Sequence, residues 1–149
     1  MINILISELY VDLVPAEKLE QAAMAALEQQ GADLEQDLTI AIEDDERLHA
    51  LNKEFLDIDA PTDVLSFPAG DGEIDPETGV PYLGDIIISY PRALEQSTAA
   101  GHAVMHEIQL LVVHGVLHLL GHDHAEPEEK AEMWAAQHEA LLVLGIDLL

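Results

Sequence analysis

The sequence predicts an α/β (α+β) fold: a single mixed β-sheet packed with helices, one of them central and buried. Two patterns carry that reading. Short segments that alternate apolar and polar residues with period two are interleaved with segments whose apolar residues recur every three to four positions. One of the helical segments is apolar nearly all round, which marks a helix enclosed by the rest of the fold and not one lying on its surface. No internal repeat, low-complexity stretch or interdomain linker interrupts the 149 residues, so the chain reads as one domain, 1–149, long enough to bury a core.

The elements come in order. INILIS (2–7) alternates around Ile2, Ile4 and Ile6 and predicts the first strand. Pro15 and Glu17 open a helix that stops at Gly31, with Leu19, Ala22, Ala23, Ala26 and Leu27 as its apolar stripe. DLTIAIE (37–43) predicts a second strand with Leu38, Ile40 and Ile42 on one side. Asp44 or Asp45 caps a short helix carrying Leu48, Leu51 and Phe55. TDVLSFP (62–68) and YLGDIIIS (82–89) predict two more strands, joined by the long acidic loop AGDGEIDPETGVP. A helical stretch begins at Pro91, a long apolar helix runs from about Ala103 to Leu120, and a last helix starts at Pro127 and ends at Gly145. Strands and helices in this order suit one mixed sheet with helices on it, the helix around Leu110–Leu120 lying between the sheet and the last helix.

Composition narrows the chemistry. There is no cysteine, which removes disulfides and thiolate metal sites and leaves histidine and carboxylate as the strong ligands. Thirty acids against five bases (Lys18, Arg47, Lys53, Arg92, Lys130) give a net charge of −25. A field of that sign repels nucleic acid and anionic membranes and attracts cations or basic proteins, or it simply keeps the surface soluble; no DNA partner is expected. MINILISELY lacks the positive start of a secretory signal, and no apolar run is long enough to span a bilayer, so a cytoplasmic location without membrane contact is expected.

The chemical landmark is HGVLHLLGHDH (114–124). At about 100° per residue, His114 and His118 of one helix point only about 40° apart and are separated by about 6 Å of rise, a suitable pose for two ligands of one metal. Gly121 is a natural helix stop, after which the chain can bring His124 back to the same point. The spacing His-x-x-x-His-x-x-Gly-x-x-His matches the metzincin zinc pattern at every ligand position, so a zincin-like fold is expected, with His114, His118 and His124 sharing one metal ion per chain. Metzincins carry a glutamate base directly after the first histidine; here Gly115 stands there, and glycine moves no proton. An ordinary metalloprotease is therefore disfavoured.

The other polar residues nearby have plainer readings. His122 is expected to face solvent, His102 and His106 to be structural or exposed, and His49 and His138 to have no special role. Glu107 lies two turns before His114, about 10 Å of rise away, too far to ligate and suited to bracing the helix. Asp123 is expected to cap the turn.

HGVLHLLGHDH, together with PTDVLSFP and LGDI upstream, resembles the YbeY family of ribosomal RNA maturation factors, from about Leu51 to Gly145, with the earlier elements consistent in order. Glu107, Met133 and Glu139 fall where the family tends to have those residue types, and His122 replaces the family's tyrosine. The resemblance implies a small α/β metalloprotein with three histidines on zinc that acts as a single-strand-specific endoribonuclease. Its partners would be ribosomal RNA and the small ribosomal subunit, in 3′-end maturation and ribosome quality control. Three neutral imidazoles leave a fourth zinc position for a water whose pKa can fall to about 7, so the expected catalytic group is that water and no catalytic side chain is assigned.

One position departs from the family. In LNKEFLDIDAPTDVLSF, Leu56 stands where the family has an arginine associated with RNA handling, and leucine cannot bind phosphate. Arg47, Lys53 or Arg92 could converge on the cleft instead. The alternative function is a ribosome-assembly binding protein with a structural zinc, recruiting basic ribosomal proteins through its acidic surface. Basic groups beside the metal favour the nuclease; an acidic rim favours the binder.

Overall fold

The computed structural model describes residues 1–70 and 72–148; Asp71, within the predicted acidic loop, and Leu149 lie outside the described residues. The elements are β1 (Ile2–Ile6), α1 (Ala16–Gln29), β2 (Asp37–Glu43), α2 (Asp45–Leu56), β3 (Val64–Pro68), β4 (Tyr82–Ser89), α3 (Tyr90–Ala100), α4 (Val104–Leu119) and α5 (Pro127–Val143). This is the mixed α/β architecture expected from the sequence: a four-stranded sheet and five helices among the described residues.

The sheet has the order β1-β2-β4-β3. β1, β2 and β4 run parallel, with Ile4 opposite Ile40 and Ile40 opposite Ile86, while β3 pairs antiparallel with β4. Because strand side chains alternate, Leu38, Ile40, Ile42, Ile86 and Ile88 fall on one face, where all are fully buried. They share a core with Leu19, Ala22, Ala23 and Ala26 of α1 and with Ile108, Val112, Val113, Val116 and Leu117 of α4. Burial of each large aliphatic residue contributes about 1.5–3 kcal/mol, so this layer dominates the stability.

Helix α4 is the centre of the molecule. It touches β3, β4, α1, α3 and α5, which explains why so few of its positions are polar. Val112, Val113 and Leu117 are inaccessible to solvent, as an apolar helix between sheet and last helix requires. Two further helices flank it as well, an enclosure that periodicity alone does not reveal.

Helix α2 departs from its predicted pattern. Asp44 caps it, accepting the Arg47 backbone N–H at 2.8 Å, and Leu48 is buried, but Leu51 is only half-buried and Phe55 is 61% exposed. The buried partner of Leu48 is Asn52, whose amide donates to the Ala60 carbonyl at 2.9 Å and ties the following loop to the helix. Phe55 instead meets Phe67 of β3 edge-on, with centroids 5.6 Å apart.

Candidate metal centre

His114 and His118 occupy the one face of α4 that is not packed, and both are half-buried. The helix ends in a Schellman turn. Leu120 is the C-cap, the Gly121 N–H donates to the His118 carbonyl at 3.0 Å, and the His122 N–H donates to the Leu117 carbonyl at 2.9 Å. Gly121 takes φ +101°, a conformation that favours glycine. The reversal carries the exposed His124 back over the two helical histidines, and Asp123 steadies the turn by accepting the His124 backbone N–H at 2.7 Å.

The three imidazoles converge. One ring nitrogen from each of His114, His118 and His124 lies within 4.8 Å of the others, and Nε2 of His118 is 3.1 Å from Nε2 of His114. The Nδ1–H of His114 donates to Oε1 of Gln137 on α5 at 3.0 Å, which leaves Nε2 as the lone-pair nitrogen facing the cluster. A tetrahedral zinc with bonds of about 2.0–2.1 Å holds neighbouring nitrogens about 3.3 Å apart, so the His114–His118 pair already stands near that spacing and the nitrogen of His124 lies within reach of the same ion. Burial lowers the pKa of His114, and burial together with the neighbouring His114 and His124 lowers that of His118. Both shifts favour the neutral, ligating form.

The triad opens onto a cleft of about 350 Å³ whose opposite wall is the end of α2 and strand β3: Leu56, Thr62, Asp63, Val64, Ser66 and Pro68. Position 56 therefore faces the candidate metal centre. No lysine or arginine is among the residues lining it, and Asp63 brings in a carboxylate. The proposed convergence of bases does not occur, because other carboxylates and surfaces claim them. Arg92 pairs with Asp45 at 2.9 Å and Lys53 lies 4.0 Å from Asp59. Arg47 lines a different, larger groove of about 510 Å³ with Thr39, Ala41, Phe55 and Ile87, on the sheet face away from α4. That groove is mostly apolar and holds none of the three histidines, so its size does not make it the metal site.

Several smaller expectations are settled by contacts. His122 is not solvent-facing: it is half-buried, and its Nε2 is 2.6 Å from Oε1 of Gln30 at the end of α1. Glu107 is buried and pairs with His102 at 2.6 Å, bracing the start of α4 far from the cleft. His49 pairs with Asp59 at 2.7 Å, and His138 lines a small pocket beside Leu141. Met133 is fully buried, and Glu139 accepts from the Gln29 side chain at 2.8 Å.

Two neighbours of the triad carry no local signal in the sequence. Gln137 orients His114 from 23 residues away. Trp134, one turn earlier on α5, sets its ring perpendicular to both His114 and His124, with centroids 5.9 Å from each. Its being the one tryptophan of the chain is its only mark in the sequence.

The chain is similar to known proteins over most of its length. The family model described as Endoribonuclease YbeY matches residues 6–145, extending the resemblance back to the end of the first strand. The endoribonuclease YbeY of Geobacillus thermodenitrificans is 43% identical over 135 residues, covering 87% of this chain and 86% of the relative. That of Chloroflexus aurantiacus is 44% identical over 136 residues (88% of each), and that of Dehalococcoides mccartyi strain CBDB1 is 41% identical over 150 residues, 94% of this chain and 90% of the relative. Among solved structures, the solution structure of TM1509 from Thermotoga maritima has a similar fold, with a TM-score of 0.58 at 21% identity over 97% of this chain and 92% of that one.

Proposed function

The chain belongs to the endoribonuclease YbeY family, and on that premise we propose that it is a zinc-dependent endoribonuclease that cuts single-stranded RNA in the cytoplasm. We further propose that it acts on the 3′ end of small-subunit ribosomal RNA and in ribosome quality control. The observation that carries the reading is the convergence of His114, His118 and His124 at the floor of an open cleft. His114, His118 and His124 would hold the zinc, which when bound would supply Lewis acidity toward a phosphoryl oxygen and toward a water nucleophile. Gln137 holds the His114 ring in the tautomer that presents Nε2. Leu56 and Val64 make one wall apolar, while the Ser66 hydroxyl on the same wall can hydrogen-bond a phosphate or ribose; the Thr62 hydroxyl donates to Asp63 at 3.3 Å.

The test is metal analysis of the purified protein coupled to cleavage of a single-stranded ribosomal RNA 3′ fragment. One zinc per chain and cleavage that His114→Ala abolishes are expected. A protein that retains zinc and leaves the RNA intact refutes the nuclease.

A second reading is favoured by one specific observation, the cleft wall with Asp63 and no base. In that reading the chain is a ribosome-assembly binding protein whose zinc is structural and whose acidic surface takes up a basic ribosomal protein. Zinc retention, no cleavage, and salt-sensitive binding to small-subunit proteins are its signature.

A further inference from the structure

Trp134 is 43% exposed although its ring touches two of the three clustered histidines. The Lys130 ammonium lies over the same ring, 5.4 Å from its centroid, in a cation–π contact. Lys130 itself is exposed. The pair thus sets an exposed aromatic surface, with a cation attached, against the α5 side of the triad, outside the cleft lined by Leu56 and Ser66 and beside a small pocket that Trp134 lines with Gln137 and His138. The distance from the tryptophan ring to the histidines is one that a single nucleotide spans between its base and its phosphate.

Electrostatics sharpens the point. Glu128, Glu129 and Glu132 share α5 with Lys130, and the whole chain carries −25, so charge attraction cannot supply most of the affinity for RNA. Base–aromatic stacking is uncharged and every nucleobase offers a π-face, so it works in an acidic setting where phosphate contacts are few. A base already stacked within a duplex is not available for it.

We propose that Trp134 is the platform on which one unpaired nucleobase of the RNA stacks, with Lys130 passing from the ring to an adjacent phosphate. This rests on the endoribonuclease reading above and makes Trp134 a positioning residue for its substrate. It also gives a physical source for selecting single strands.

The single tryptophan reports on the site directly. With the full metal-bound chain at low salt, a single-stranded oligoribonucleotide made resistant to cleavage by 2′-O-methyl phosphorothioate linkages should quench Trp134 fluorescence saturably. The same strand in a duplex, or an abasic strand with the same phosphates, should leave the emission unchanged. Trp134→Ala should weaken binding of a labelled oligonucleotide, followed by anisotropy, by roughly 5- to 150-fold, the range expected for one lost base–aromatic stack. Trp134→Phe should keep most of the affinity, and Trp134→Ala should retain its metal. Equal affinity in wild type and Trp134→Ala, or equal quenching by the abasic strand, overturns the platform and leaves the nuclease standing. Loss of metal along with RNA affinity makes Trp134 a packing support for the histidines and also overturns it. No affinity of the wild type for any RNA overturns both readings.

Discussion

Gly115 of α4 lies so close to Ile86 of β4 that a Cβ at position 115 would fall 2.8 Å from Cγ2 of the isoleucine. This is the physical reason that a glutamate base cannot stand after the first histidine: position 115 points into the sheet, not into the cleft. Gly115→Ala should destabilise the protein by about 1–3 kcal/mol, the usual cost of overpacking a core. Urea unfolding checks it, and an unchanged midpoint would mean that α4 can lift off the sheet without loss.

Metal retention should separate the histidines. His114→Ala or His118→Ala should abolish zinc binding, measured by metal analysis or by the spectrum of a cobalt substitute, and His124→Ala should weaken it severely. His122→Ala should keep the metal and cost only about 0.5–1.5 kcal/mol of stability through its lost bond to Gln30. Equal metal loss in His122→Ala and His124→Ala would show that the third ligand is misassigned.

Leu56 is half exposed on the cleft wall opposite the triad. Leu56→Arg should raise cleavage of single-stranded RNA by roughly 10- to 100-fold, because a guanidinium hydrogen-bonds phosphate oxygens bidentately and stabilises developing charge. The salt dependence of binding should steepen by about 0.7 in the log–log slope. If neither changes, position 56 does not reach the RNA.

The pH dependence of the metal-free chain comes from the lowered pKa values of His114 and His118. Folding keeps both rings neutral, whereas the unfolded chain takes up protons near the ordinary value of 6.5. Stability from this source is full above pH 6.5 and is lost as pH falls toward the lowered folded values, since there the unfolded state binds more protons. Thermal melts of metal-free protein should drop across that window, and His114→Ala should flatten the drop. A wild-type melt independent of pH between about 7 and 5 would contradict it.

The helix around the histidines was legible in the sequence because it depends on backbone period alone. Residues four apart share a helix face, glycine accepts the turn that ends the helix, and the spacing to His124 is set by the length of that turn. The strands were legible for the same reason, as Leu38, Ile40 and Ile42 show by all facing the core. What the tertiary structure decided are the contacts between segments distant in the chain: Gln137 on His114, Gln30 on His122, Trp134 beside the triad, and Leu56 across the cleft. It also decided the dispersal of the bases, since Arg92 and Lys53 lie beside carboxylates that only the fold brings near them. Local geometry repeats along the chain and can be read from spacing. Contacts between α4, α5, β3 and the end of α2 depend on how close these elements pack, and that closeness is set by side-chain volume at places such as Gly115 against Ile86.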